Sequence, residues 1–209
     1  MKTVALIVVA IALVAVSNSR AGSAQSTPTQ KPAMSHMDIQ SHLASWKAKP
    51  KETAMKLIEK YGPPQEATAN RLIWHDKGPW KFTEIVNEEI PHDFPVPHVD
   101  YLYQAIPHQI DPKFADELLA YDGSVVLERT KGMIAARCDK EEPNFLAINL
   151  AHEIITGKRS VDEARAFYAE SMMMLMKAGK PNEYQTGFRF QVASGNQGDK
   201  DIPAKMTKK

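Results

Sequence analysis

The sequence contains a single cysteine, Cys138, among 209 residues. One thiol cannot form an intramolecular disulfide or a cysteine-rich zinc knuckle, so both scaffolds are excluded. Positive charge is not in excess either, because 26 Lys and Arg face 25 Asp and Glu. A nucleic-acid binder that works through a broad basic surface is therefore excluded. The remaining composition, 43% hydrophobic and 24% charged, is that of a globular protein.

The motifs of common enzymes are also missing from the sequence. It contains no nucleophile elbow, phosphate loop, HExxH zinc helix or dinucleotide-binding glycine fingerprint. The sequence therefore favours a non-catalytic protein and assigns no cofactor.

Only one apolar run is long, and it stands at the start of the chain. Thirteen unbroken apolar residues, Val4 to Val16, follow Lys2. As a helix this run would span about 20 Å, less than the ~30 Å hydrocarbon core of a bilayer, and the small residues that follow fit a cleavage site. We predict a signal peptide over residues 1–24, and a periplasmic or secreted protein with no membrane span after cleavage.

The rest of the chain divides by composition. Residues 25–35 are rich in Ser, Thr, Pro and Gln and predict a flexible lead. Residues 194–209 predict a disordered tail. The patterned stretch between them, residues 36–193, is predicted to be a single α+β domain.

Hydrophobic spacing predicts the elements of this domain. A stripe from Ala54 to Tyr61, ended by Gly62-Pro63, indicates a helix over residues 52–61. Strands over 71–74 and 80–86, and over 124–130 and 133–138, each flank a glycine turn and predict two antiparallel hairpins. Capping boxes at Asp139 and Ser160 begin two helices, which a short link should pair antiparallel near the C-terminus. A last strand is predicted over 184–192.

Four prolines between Pro91 and Pro107 favour a structured loop with at most one helical turn, at 99–104. Imidazole and carboxylate groups recur in this loop, and both are ligands for zinc, copper or non-haem iron. The metal-ligand candidates are His92, His98, His108 and Asp100. The alternatives are a surface that binds a small ligand or a partner, and plain loop structure.

The first hairpin offers a second candidate site. If His75 and Trp80 share a sheet face, an aromatic platform beside an imidazole could hold a ligand. The ligand-binding candidates are Trp74, His75, Trp80, His92 and His98. The alternative is that the two tryptophans form a cross-strand packing pair.

Cys138 is predicted to lie at a strand end, close to the helix that carries His152. A helix N-terminus stabilises a thiolate, which is the condition for a Cys-His nucleophile. The alternative is that Cys138 is a small buried hydrophobe.

Two stretches resemble known proteins. Residues 52–75, in which a helix runs into KYGPP and is followed by RLIWH, resemble the helix, Gly-x-Pro, strand unit of small bacterial envelope lipoproteins. Residues 70–170, with RLIWHDKGPWK, HDFPVPH and YDGSVVLERTKGM, are similar to an uncharacterised family of exported bacterial proteins of hypothetical function. The resemblance implies bacterial export and no activity.

The sequence as a whole favours an exported, non-catalytic protein of the bacterial envelope that binds a small ligand or an envelope protein. One alternative is a periplasmic transition-metal-binding protein that uses the loop histidines. The other is a thiol or acid-base hydrolase.

Overall fold

The structure, a computed structural model, describes Ile39 and residues 41–204. The predicted signal peptide (1–24) and lead (25–35) lie outside the described residues, as do residues 205–209 of the predicted tail. The described residues belong to one compact unit. Within them, no helix has the length and hydropathy needed to cross a membrane.

Six strands form one antiparallel sheet in the order β1-β2-β3-β4-β6-β5. Both predicted hairpins are part of it, as β2 with β3 and as β5 with β6. The strands are β1 (Glu66–Thr68), β2 (Arg71–Lys77), β3 (Trp80–His92), β4 (His98–Pro107), β5 (Val125–Glu128) and β6 (Met133–Cys138).

Five helices accompany the sheet in the described part of the chain, and with it they confirm the predicted α+β class. They are α1 (Ala48–Tyr61), α2 (Ala115–Tyr121), α3 (Glu141–Ile155), α4 (Val161–Ala178) and α5 (Glu183–Thr186), with 3₁₀ turns at Leu43–Ser45 and Pro112–Phe114.

The two predicted capping boxes have different outcomes. Ser160 and Glu163 form theirs at the start of α4, which ends at Gly179 in the left-handed conformation. The box predicted at Asp139 is wrong, because α3 begins at Glu141 and its N-cap, Lys140, makes no side-chain cap hydrogen bond. β6 runs to Cys138, so Asp139 lies in the connection between strand and helix.

One face of the sheet carries the main core, in which side chains of β3, β4 and β6 pack against α3 and α4. A second cluster joins α1 to β2, β3 and β4 through residues such as Leu57, Leu72 and Ile85. The opposite face carries a smaller group that includes Ala105, Met133 and Ala135.

The structured loop predicted between Pro91 and Pro107 is wrong. β3 continues to His92, and β4 occupies His98–Pro107, including the predicted helical turn at 99–104. The ladder with β2 ends at Val86, so Pro91, paired with Val99, has a neighbouring strand on one side only. A proline is tolerated there because its missing N–H interrupts no second ladder.

The strand predicted over 184–192 is also wrong. Residues 183–186 form α5, and the chain then follows the core without a strand partner. Asn149 replaces the ladder, since its side chain donates to the carbonyls of Tyr184 and Gly187 and accepts from the N–H of Arg189. Further along, Arg129 forms ion pairs with Asp199 and Asp201, within the predicted tail.

Candidate metal centre

The far end of the β3/β4 hairpin brings three of the predicted ligands together. His92 and His98 are direct cross-strand partners. Asp100 lies two residues after His98, and side chains two apart on a strand share a face. All three therefore point to one side of the hairpin.

A bulge in β3 selects this arrangement. Ile85 pairs with Leu102 and Ile90 pairs with Asp100, so residues 86–89 lie opposite the single residue Tyr101. Between these two pairs β3 advances by five residues and β4 by two. Because side chains alternate along a strand, an odd advance against an even one reverses which residues of β3 face the helices. With regular pairing, Pro91 rather than His92 would share a face with Asp100.

The polar atoms of the three residues lie close together. His92 Nδ1 lies 3.2 Å from Asp100 Oδ2, and His98 Nε2 lies 3.1 Å from Asp100 Oδ1. One ligand atom from each residue lies within 4.8 Å of the other two. The Asp100 side chain is only 4% exposed, against 17% and 19% for the two imidazoles. The cluster is thus open to solvent on the imidazole side.

Two of these buried atoms are not satisfied by hydrogen bonds. His92 Nδ1 and Asp100 Oδ1 are buried without a hydrogen bond of regular geometry, although each lies at ion-pair distance from its partner, 3.2 Å for His92 Nδ1 and 3.1 Å for Asp100 Oδ1. A cation placed between the three side chains would satisfy both atoms.

The outer nitrogen of each imidazole has a partner that directs the ring. His98 Nδ1 lies 2.8 Å from the carbonyl oxygen of Val96. Since a carbonyl can only accept, Nδ1 carries the proton, and Nε2 of the neutral ring presents its lone pair to the cluster. His92 Nε2 lies 3.5 Å from the buried Asp122 carboxylate, which favours a proton there and a lone pair on Nδ1. Carboxylate and carbonyl partners of this kind are typical of metal-ligating histidines.

The charges within the cluster are strongly coupled. The Asp100 carboxylate raises the pKa of His92 and of His98 above the ordinary value, against the opposing effect of burial. Burial alone would raise the pKa of Asp100, but the two imidazoles outweigh it and lower that pKa. Protons would therefore compete with a metal ion for the lone pairs of these side chains.

Helix α4 covers the end of the hairpin. The ring of Phe94, in the turn between the strands, lies 5.0 Å from the ring of Tyr168. The Arg165 guanidinium lies 4.0 Å from the Phe94 ring centroid and donates to the carbonyl of Tyr121. The turn that separates the two histidines is thus packed against α4.

Cys138 lies beside this cluster rather than beside His152. It pairs with Leu102 across the β4/β6 ladder, and its Sγ lies 3.5 Å from His98 Nε2 and 3.7 Å from Asp139 Oδ1. The residue is 4% exposed. Burial, together with Asp139 and Asp100, raises the pKa of the thiol. The Cys138–His152 pair considered from the sequence is not formed.

His108, the fourth predicted metal ligand, lies elsewhere. Its Nε2 is 3.1 Å from His152 Nδ1, and the His152 ring stacks on Phe190 with centroids 3.9 Å apart. Burial lowers the pKa of both histidines. They form a second, separate imidazole pair.

The aromatic platform predicted on the first hairpin is not present as a surface. Trp74 and Trp80 are 0% and 2% exposed, and their ring N–H groups donate to the Gly62 carbonyl and to Glu141. His75 lies on the opposite face of the sheet, beside Phe82. The tryptophans belong to the core, and two of the five ligand candidates, His92 and His98, lie in the metal cluster.

Two residues of this site, Cys138 and Asp122, were not assigned to it from the sequence. Cys138 joins the site through the strand order, which places β6 beside β4, and Asp122 joins it through the connection after α2; neither follows from spacing along the chain. No family model, curated protein or solved structure matches this chain. The case for a function therefore depends on the geometry of these side chains.

Proposed function

We propose that this protein binds one divalent transition-metal ion through His92, His98 and Asp100. The observation that carries the proposal is the convergence of three lone-pair atoms in a site where His92 Nδ1 and Asp100 Oδ1 are buried without hydrogen bonds. Buried polar groups in proteins are normally satisfied, so a site built around such atoms calls for a ligand.

The ligand set favours one class of metal. Two imidazoles and a carboxylate suit zinc, copper or non-haem iron, whereas magnesium and calcium prefer all-oxygen sites. The protonated outer nitrogen of His98 and the Asp122 carboxylate beside His92 support the same class, because they direct lone pairs inward. We take Zn²⁺ as the test ion.

A Cys138–His98 nucleophile is the main competing function, and the geometry disfavours it. In a nucleophile triad, the orienting acid holds the imidazole nitrogen that does not face the nucleophile. Here Asp100 and Cys138 both approach Nε2 of His98, and Nδ1 faces a backbone carbonyl. The thiol is also buried. The arrangement is better suited to a ligand sphere than to acyl transfer.

The cellular setting of the proposal comes from the sequence. The predicted signal peptide and the resemblance to exported bacterial proteins support a location in the periplasm or outside the cell. There the protein would act as a non-catalytic binding protein whose small ligand is a metal ion.

Metal uptake tests the proposal. Protein purified without an affinity tag is stripped with a chelator, dialysed against Zn²⁺ and analysed for zinc by mass spectrometry. We expect one equivalent of Zn²⁺, no retention of Mg²⁺ or Ca²⁺, and loss of the bound zinc in His98→Ala. The matched control is His75→Ala, which removes an imidazole from the opposite face and should leave uptake unchanged. Substoichiometric zinc in the wild type, or equal uptake by His98→Ala, would overturn the proposal.

A further inference from the structure

We infer that Cys138 is the fourth ligand of this metal ion, so that the centre is a closed His₂-Asp-Cys tetrahedron. The inference rests on the proposed metal function and identifies the kind of site. It goes beyond the three residues that the sequence and the hairpin point to, because Cys138 comes from a different strand.

The register of the sheet places the thiol on the correct side. Cys138 pairs with Leu102 in the β4/β6 ladder, and paired residues share a face. Leu102 and Asp100 are two apart on β4, so they also share a face. Cys138, Asp100 and His98 therefore project to the same side of the sheet.

Three of the distances are close to those between ligands of one ion. From zinc bond lengths of about 2.05 Å to nitrogen or oxygen and about 2.3 Å to sulfur, tetrahedral angles give ligand separations of about 3.6 Å for N···S and about 3.3 Å for N···O. The observed values are 3.5 Å for His98 Nε2 to Cys138 Sγ, and 3.1 Å and 3.2 Å for the two imidazole–carboxylate contacts. Cys138 Sγ is not among the ligand atoms that lie within 4.8 Å of one another, so the sulfur has to move towards the ligand atoms other than His98 Nε2 when the ion binds.

The buried Asp100 carboxylate also points to a ligand at this place. Asp100 is 3% exposed, and its Oδ1 has no hydrogen-bond partner although it faces His98 Nε2, the same nitrogen that Cys138 Sγ approaches. Sulfur and oxygen thus approach the same imidazole nitrogen. An ion among the three would bond to all of them.

Closure by a thiolate has consequences for what the site does. On binding, the S–H bond breaks heterolytically, its proton passes to solvent and the sulfur electron pair forms the metal bond. Four protein ligands leave no position for an activated water, which is the mark of a retained ion rather than a hydrolytic one. A thiolate also shifts preference towards zinc and cobalt and away from manganese.

Cobalt substitution tests the inference. Reduced, metal-stripped wild-type protein is titrated with Co²⁺ under argon while its absorption spectrum is recorded. We expect a thiolate-to-cobalt charge-transfer band in the near ultraviolet together with the strong visible bands of a four-coordinate ion. The chain has one cysteine, so the charge-transfer band has a single source. In Cys138→Ser this band should be lost, and Co²⁺ should bind at least about tenfold more weakly.

The outcomes separate the two proposals. Stoichiometric Co²⁺ binding without a thiolate band overturns the inference and leaves the three-ligand site in place. No Co²⁺ binding overturns both. The wild-type spectrum decides between these results even if Cys138→Ser fails to fold, and Cys138→Ala provides a second variant that leaves no donor atom.

Discussion

Asp122 lies beside His92, one of the ligands of the proposed metal centre. The residue follows α2 and is buried, its Oδ1 accepts the N–H of Ser124 at 2.8 Å, and the same oxygen lies 3.5 Å from His92 Nε2. Burial raises its pKa, partly against the Ser124 N–H. A buried carboxylate is costly unless it is paired. The His92 imidazole is the neighbouring group of the proposed metal site, so it is the ring that Asp122 can orient.

Replacing Asp122 with Asn should weaken metal binding without dissolving the fold. The amide oxygen can still accept from Ser124, but the charge that favours a proton on His92 Nε2 is lost. We expect zinc affinity, measured by competition with a chromophoric chelator, to fall by roughly 10- to 100-fold. Asp111→Asn, the same change at an exposed N-cap, is the control and should bind as the wild type does. Equal affinities for both variants would exclude a positioning role for Asp122.

Glu141 is a second residue whose single side chain contacts several elements. Its carboxylate accepts hydrogen bonds from Tyr61, Trp80 and Gln104 and pairs with Lys60. These donors come from α1, β3 and β4, so one largely buried carboxylate joins the first residue of α3 to three other elements.

Glu141→Gln should destabilise the protein by about 1–3 kcal/mol, because the new amide group donates towards donors and leaves some of them unsatisfied. Urea unfolding followed by circular dichroism measures the change. Glu142→Gln removes the same charge one residue further along α3 and should have a clearly smaller effect. If both variants unfold at the same urea concentration as the wild type, Glu141 does not join these elements energetically.

Among the elements, the end of β4, helix α3 and the C-terminal segment meet at His108, His152 and Phe190. His108 Nδ1 faces the carbonyl of Gln109 and therefore carries the proton of the neutral ring, so Nε2 accepts from His152. Burial lowers the pKa of both imidazoles, and His108 opposes protonation of His152 further. This junction is built for neutral histidines.

Stability at this junction should fall with acidity. Because the folded pKa values lie below the unfolded value of about 6.5, the unfolded chain binds more protons in the interval between them. The folding contribution is complete above that value and declines as pH falls below it, by at most about 1.4 kcal/mol per pH unit for each proton, and by less at the more exposed His152. Urea unfolding of the wild type and of His108→Gln/His152→Gln between pH 8 and pH 5 gives the difference. A difference that does not change with pH would contradict this, and His75→Gln is the control.

Local patterns predicted most elements because the physical causes were local. The stripe that ends at Gly62 gave α1, the glycine turns gave both hairpins, and Ser160 with Glu163 gave the start of α4. The β3/β4 hairpin was missed because four prolines were weighed as strand breakers, whereas Pro91 lies where β3 has only one neighbour. That fact depends on where β2 ends, which no local pattern contains.

The sequence predicted the types of residue in the candidate site, but not the full set of residues that belong to it. His92, His98 and Asp100 were singled out as ligands from imidazole and carboxylate chemistry. His108 was singled out for the same reason, but in the structure it pairs with His152. Cys138 and Asp122 join the cluster through the β4/β6 ladder and through the connection that follows α2. The bulge opposite Tyr101 determines which side of the sheet His92 faces. The alternation of hydrophobic residues in the sequence does not indicate this bulge.

For the whole molecule, the proposed centre lies where separate parts of the chain meet. The three hairpin ligands, Cys138 on β6 and Asp122 after α2 are brought together only in the folded sheet. A metal that bonds to several of them binds the native state and not the unfolded one. Its binding energy is therefore added to the free energy of unfolding of the entire domain.

Zinc should accordingly raise the midpoint of thermal unfolding. At a free Zn²⁺ concentration 100 times Kd, the expected stabilisation is about 2.7 kcal/mol. For a domain of this size that corresponds to a shift of roughly 5–11 °C. Differential scanning calorimetry of stripped protein with and without Zn²⁺ measures the shift, and Mg²⁺ at the same concentration should produce none. His98→Ala should lose the shift while His75→Ala keeps it, since of these two histidines only His98 contributes a lone pair to the cluster. A wild-type midpoint that stays the same at saturating Zn²⁺ would mean that the ion does not bind the folded sheet, and the convergence of His92, His98 and Asp100 would then need another cause.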